Sequence, residues 1–220
     1  LKVNSPGGGV VESDEIYQTI RKLKEEHDKP VVVSMGSMAA SGGYYISAAA
    51  DKIVAASGTL TGSIGVIVSS LNVKELADRW GIKEEAITSG PHKNMLSSFQ
   101  EMSPEEREIV QDLVDEAYRQ FVDVIVQGRG LDEDKVLALA DGRIYSGEQA
   151  LQAGLVDELG HLDDAIGEAA QLAGLDNPTV ITYSRSSFSL FNTFMAKVGQ
   201  RADWDWERPI ALDSTPKVMY

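Results

Sequence analysis

Short β-rich apolar runs alternate with amphipathic stretches over the first two thirds of the chain, which predicts an α/β fold with a largely parallel sheet flanked by helices. The predicted strands are Val31–Met35, Lys52–Ala55, Ile64–Val68 and Glu85–Thr88. Leu1-Lys2-Val3-Asn4 reads as the middle of a further strand, so a strand, anchor or targeting segment is expected upstream of it. Ser13 is placed to cap a helix whose apolar face is Ile16, Ile20 and Leu23, with Asp14 and Glu15 in its first turn. A shorter helix is expected over Asn72–Trp80.

From Ser103 the pattern becomes helical. Ser103-Pro104-Glu105-Glu106 is a capping box with proline at the first helical position. Val110, Leu113, Val114, Ala117, Phe121, Val124 and Ile125 then repeat at helical spacing until Gly128-Arg129-Gly130 ends the run. Further helices are predicted over Asp132–Ala140, over Ser146–Ala153 with Gly154 as C-cap, and over Leu162–Leu172, followed by a strand at Val180–Tyr183. The expected division is one domain over 1–183 with a helical C-terminal part, and an extension over 184–220 in which Phe188, Leu190, Phe191, Phe194, Met195 and Val198 fit an amphipathic helix.

Composition narrows the function classes. With 220 residues and 43% hydrophobic content the chain can bury a full core as one domain. Cysteine is absent, which excludes a disulfide framework and thiolate metal sites, and three scattered histidines argue against a zinc cluster. A net charge of −14 argues against a nucleic-acid partner, because phosphate contacts need a basic surface. No apolar run reaches the roughly 18 residues of a membrane-spanning helix. Neither a cofactor nor a metal is expected.

The candidate chemistry centres on Ser41, in Met35-Gly36-Ser37-Met38-Ala39-Ala40-Ser41-Gly42-Gly43-Tyr44-Tyr45, where an apolar strand yields to small residues and then to a helix-compatible stretch. Glycines after the serine let a substrate backbone approach and leave the Gly42 N–H free to meet a developing oxyanion. Asn4-Ser5-Pro6-Gly7-Gly8-Gly9 can supply a second such donor at Gly8, while a P-loop reading fails because no Gly-Lys-Ser/Thr follows. A serine needs a base. His27 and His161 lie in charged or helix-start contexts, so the loop Ser89-Gly90-Pro91-His92-Lys93-Asn94-Met95 leaves His92 and Lys93 open. A lysine serves only when neutral, with its pKa brought from about 10.4 towards 7 or 8, so its surroundings must disfavour the ammonium by about 4 kcal/mol. Ser63, in Leu60-Thr61-Gly62-Ser63-Ile64-Gly65, could hydrogen-bond a neutral amine.

In order along the chain, these four loops resemble the bacterial signal peptide peptidase A family in its short, Bacillus-like form. Gly128-Arg129-Gly130, Ala140-Asp141-Gly142-Arg143-Ile144-Tyr145 and Gly154-Leu155-Val156-Asp157-Glu158-Leu159-Gly160 extend the likeness from Leu1 to about Ala173. The resemblance implies a Clp protease/crotonase-like fold and a Ser/Lys endopeptidase with Ser41 as nucleophile, Lys93 as general base and Ser63 orienting the lysine. Gly8 and Gly42 become the backbone oxyanion donors. It further implies remnant signal peptides and other hydrophobic peptides as substrates, and a ring- or dome-shaped homo-oligomer in which serine and lysine can come from adjacent protomers. The site would stand outside the cytoplasm of a bacterium, on a single-pass anchor that is not in this chain. A crotonase-like acyl-CoA enzyme and a non-catalytic oligomeric scaffold are the alternatives, since one fold hosts several functions. For the apolar end Pro216-Lys217-Val218-Met219-Tyr220 the expectation is that it can lie in the protein's own substrate groove.

Overall fold

The computed structural model describes residues 1–183. The chain divides into a unit over Leu1–Asp176 and a second over Asn177–Tyr220, of which only 177–183 are described. The amphipathic stretch 188–198 and the apolar C-terminus therefore lie outside the described residues.

The first unit runs β1 (Lys2–Ser5), α1 (Val10–His27), β2 (Val32–Ala40), α2 (Gly42–Ser47), β3 (Lys52–Ala55), β4 (Leu60–Gly62), α3 (Lys74–Arg79), α4 (Pro104–Arg129), α5 (Glu133–Leu139), β5 (Ile144–Ser146), α6 (Gly147–Ala153), β6 (Glu158–Leu159) and α7 (Leu162–Leu172). The strands form one sheet in the order β5-β4-β2-β3-β6, with β1 also paired to β2. Every pairing is parallel except β4 with β5, so the predicted α/β class with a largely parallel sheet is what the chain forms.

Strand alternation separates two apolar layers. Val33, Met35, Ile53 and Ala55 face the main core with Tyr17, Tyr44, Phe121 and Ile125, whereas Val32 and Val54 point to the other face and meet Ala165 and Ala169 of α7. The capping box at Ser103 forms as predicted, with the hydroxyl accepting from the Glu106 N–H and the carboxylate accepting from the Ser103 N–H at 2.8 Å.

Four predicted features differ. Ser13 does not cap α1, because Gly9 in extended conformation takes that role and starts the helix one turn earlier. The buried stripe of α1 is Ser13, Tyr17 and Ile20, while Ile16 and Leu23 are exposed, so the helix is rotated to put its aromatic ring inward. No strand forms over 64–68: the Ser63 N–H donates to the Arg143 carbonyl at 2.8 Å and the Ile64 carbonyl accepts from Gly142 at 3.0 Å, and these turn contacts lead the chain off the sheet. Residues 85–88 and 180–183 are exposed and form no strand, having no apolar layer to cover them.

Candidate active site

Strand β2 is longer than its apolar core implies and carries the chain directly to Ser41. There the backbone turns sharply, with φ +52° and ψ −121°, a conformation that an L residue adopts only when its surroundings impose it. The imposing contacts are specific. The Ser41 N–H donates to the Gly62 carbonyl at 2.8 Å, and its own carbonyl accepts from the N–H groups of Tyr44 and Tyr45, each at 2.9 Å. The Ser41 hydroxyl makes no hydrogen bond among the described residues and opens onto a cavity of about 200 Å³.

The loop after β1 lies against this turn. A Cβ on Gly7, whose φ is +138°, would stand 3.0 Å from Ser41 Cβ and 3.3 Å from its Oγ, so only glycine fits. A Cβ on Gly42 would lie 3.0 Å from the Gly8 nitrogen and would collide with Ser13 Oγ. The sequence-predicted donors Gly8 and Gly42 are thus brought together beside Ser41, and both line the same cavity.

The remaining cavity wall is apolar: Val10, Val66, Ile67, Ala117 and Phe121, with the Tyr45 ring tilted against Phe121 at a centroid distance of 5.1 Å. Burial pushes the Tyr45 phenol above its ordinary pKa, and the Asp14 carboxylate that accepts its proton at 2.8 Å adds to the shift. Tyr45 therefore stays a neutral wall and is no base. Its size, below the roughly 300–1,000 Å³ of whole-ligand clefts, suits a single side chain of an extended peptide. A larger cavity of about 340 Å³, beside Ser70, Asn94, Ser97 and Glu106, contains none of these groups.

No basic side chain lines the Ser41 cavity. Lys93 sits on the exposed turns 91–96 and makes no hydrogen bond with Ser41 or Ser63 among the described residues. His92 faces Glu105 at 3.5 Å. Ser63, at φ +49°, follows the glycine that anchors the Ser41 N–H but does not itself line the cavity. Among the described residues, then, Ser41, Gly8 and Gly42 come together and Lys93 does not join them.

A sequence profile described as Peptidase family S49 matches residues 23–176. The chain belongs to this family. It is 40% identical over 232 aligned residues to a provisionally named signal peptide peptidase SppA of Enterococcus faecium, covering all of this chain and 67% of that protein. A provisionally named protease of Synechocystis is 48% identical over 176 residues, with 80% of this chain and 63% of that protein covered. One of Methanocaldococcus jannaschii is 40% identical over 183 residues, with 83% and 58% covered. The chain thus spans about two thirds or less of these relatives.

The S49 match includes Ser41, Ser63 and Lys93 but begins beyond Gly8 and Ser13. Sequence reasoning missed Ser13, Tyr45, Ala117 and Phe121 as parts of the cavity. Ala117 and Phe121 were legible as buried positions of α4, but nothing local ties them to Ser41. Ser13 had a signal: Ser13, Tyr17 and Ile20 share one helix face, which places a hydroxyl on a stripe that is otherwise core.

Proposed function

We propose that this S49 chain carries the catalytic domain of a serine endopeptidase that cleaves remnant signal peptides and other hydrophobic peptides at a bacterial membrane, on a Clp protease/crotonase-like fold. The observation that carries the reading is the unengaged Ser41 hydroxyl, held at positive φ beside Gly8 and Gly42 at the mouth of an apolar cavity. A hydrophobic substrate side chain enters between Val66, Ile67, Ala117 and Phe121, which brings the adjoining carbonyl over Ser41.

Ser41 Oγ attacks that carbonyl carbon while its proton passes to neutral Lys93, and the amides of Gly8 and Gly42 donate to the oxygen that gains the charge. The C–N bond then breaks as Lys93 returns the proton to the leaving amine. Water then attacks the acyl-Ser41 ester as Lys93 takes its proton, the bond from the carbonyl carbon to Ser41 Oγ breaks as Lys93 hands that proton to Oγ, and the acid leaves with serine and neutral lysine restored. Ser63 orients the lysine, so one amine does the work that His and Asp share in a serine triad.

In this reading Lys93 reaches Ser41 from a neighbouring copy. Two observations support it: Lys93 is exposed and apart from the Ser41 cavity, and the segment carrying it exposes Trp80, Ile82 and Ile87, apolar surface of the kind buried between protein chains. Rotational symmetry would repeat that contact into a closed ring or dome. Among the described residues no helix is long and apolar enough to cross a membrane.

The test compares parent, Ser41→Ala and Lys93→Ala on an apolar fluorogenic peptide, with covalent labelling by a fluorophosphonate as a second readout. Cleavage and labelling by the parent alone support the reading. Peptide cleavage that survives Ser41→Ala, or thioester turnover independent of Ser41, would overturn it in favour of an acyl-CoA enzyme or another nucleophile.

A further inference from the structure

We propose that the Ser13 hydroxyl is a third hydrogen-bond donor to the oxyanion, and so a further catalytic residue of the peptide hydrolysis on which this proposal rests. Ser13 is only 7% exposed, in the first turn of an eighteen-residue helix. Its neighbours on the buried stripe, Tyr17 and Ile20, belong to the main core. The Ser13 hydroxyl faces the cavity rather than the core: Arg129 Nε is the one fully buried side-chain polar atom without a partner among the described residues.

Among the described residues the Ser13 hydroxyl makes no hydrogen bond. The two other helical serine or threonine hydroxyls use the carbonyl four residues back: Thr19 Oγ1 donates to Glu15 O and Ser47 Oγ to Gly43 O, each at 2.7 Å. The equivalent carbonyl for Ser13 is that of Gly9, which accepts the Ser13 backbone N–H at 3.1 Å and no bond from the side chain. Among the described residues Ser13 Oγ has no partner, and it opens onto the cavity that holds Ser41. That leaves its proton available for a bound molecule.

The direction of that proton's use follows from what surrounds it. The space beside Gly42, which a Cβ there would fill, is bounded by Ser13 Oγ and by the Gly8 nitrogen at 3.0 Å. A Cβ on Gly8 would in turn stand 3.8 Å from the same Oγ. Ser13 Oγ and the Gly8 nitrogen thus border the same space beside Gly42. Among the described residues its neighbours in the cavity are Ser41, glycines, apolar side chains and Tyr45, none of them a base, and the one base of the proposed mechanism is committed to Ser41.

No bond to Ser13 forms or breaks in the step. As Ser41 Oγ adds to the carbonyl, the C=O π pair moves onto oxygen, and the Ser13 O–H, free to rotate, strengthens its hydrogen bond to that anion. A donor of this kind acts on the transition state more than on bound substrate, so it raises kcat and leaves KM nearly unchanged.

The experiment measures kcat and KM for apolar peptide cleavage, inhibition by a peptide boronic acid, and the melting temperature, in the assembled full-length protein for parent, Ser13→Ala, Ser13→Thr and Ser41→Ala. Ser13→Ala is expected to lower kcat by about ten- to a hundredfold with KM within about twofold, and to weaken boronate binding by the same factor. Its melting temperature stays close to the parent's, because the hydroxyl removed has no partner among the described residues and faces the open cavity. Ser13→Thr, which keeps the donor, recovers most of the lost rate. Parent kcat in Ser13→Ala, a change confined to KM, or an equal loss in Ser13→Thr would overturn the proposal while the peptidase reading stands. A parent that does not cleave, or a Ser41→Ala variant that cleaves as well as the parent, would overturn that reading and this proposal with it.

Discussion

Ser41 is held by its main chain rather than by its side chain. Three backbone hydrogen bonds fix it at φ +52°, and the glycines at 7 and 42 exist where a methyl group would meet Ser41, the Gly8 amide or Ser13. Gly42→Ala tests this crowding directly. A methyl there would strike Ser13 Oγ and crowd the Gly8 nitrogen, so hydrolysis should fall by at least about a hundredfold, the usual scale for disabling an oxyanion donor, and the melting temperature should fall as the loop shifts to make room. Peptidase assays beside a thermal melt check both halves, and near-parent activity would show that the oxyanion does not bind there. The serine, its two glycines and the glycine loop were legible in the sequence because each is a local motif whose residue types state a backbone requirement. Ser13 was not, since its role depends on a helix start set by Gly9 and on a loop that reaches it only in the folded chain.

At the scale of elements, α4 ties the cavity wall to the core. Its C-terminal half supplies Phe121, Val122, Val124 and Ile125 to the interior, and Gly128 lies so close to the Ala48 carbonyl that any Cβ there would strike it. Gly128→Ala should therefore destabilise the fold by about 1–3 kcal/mol through forced separation of α4 from the end of α2, seen as a lowered melting temperature. At the other end, hydrogen bonds from the Ser103 backbone and side chain hold the Glu106 carboxyl below its ordinary pKa. A depressed carboxylate stabilises the fold above its unfolded pKa, and that contribution is lost as pH falls through the folded value. Glu106→Ala should accordingly melt below the parent at pH 7, with the gap narrowing as pH falls below the ordinary glutamate range and closing once the carboxyl is protonated in both states. A gap that persists at low pH would assign the effect to packing. The same capping box was plain in the sequence, because capping uses residues three positions apart. The strand expected at 64–68 failed for the opposite reason: its β-rich composition was right, but the turn at 141–143 claimed the groups that pairing would have used.

For the molecule as a whole, the described residues bring Ser41, Gly8 and Gly42 together and leave Lys93 apart, which is why the proposed site needs two copies. Mixing Ser41→Ala with Lys93→Ala should then restore activity that neither variant has, up to about one quarter of the parent if subunits exchange at random around a ring. Activity should also fall on dilution through the assembly range, and size measurements on the same samples would follow the two together. Absence of any complementation would place both groups in one protomer after a movement of the 91–96 loop. The α/β class, the longest helix and its cap, and the strand-to-helix turn at Ser41 followed from the sequence by itself, because they rest on periodicity and on motifs a few residues long. Tertiary structure alone decided which face of α1 is buried, that Ser13 and Phe121 share a cavity with Ser41, and that Lys93 stands apart from it. Those outcomes depend on how distant segments pack, and periodicity along the chain carries no record of which segment will lie opposite.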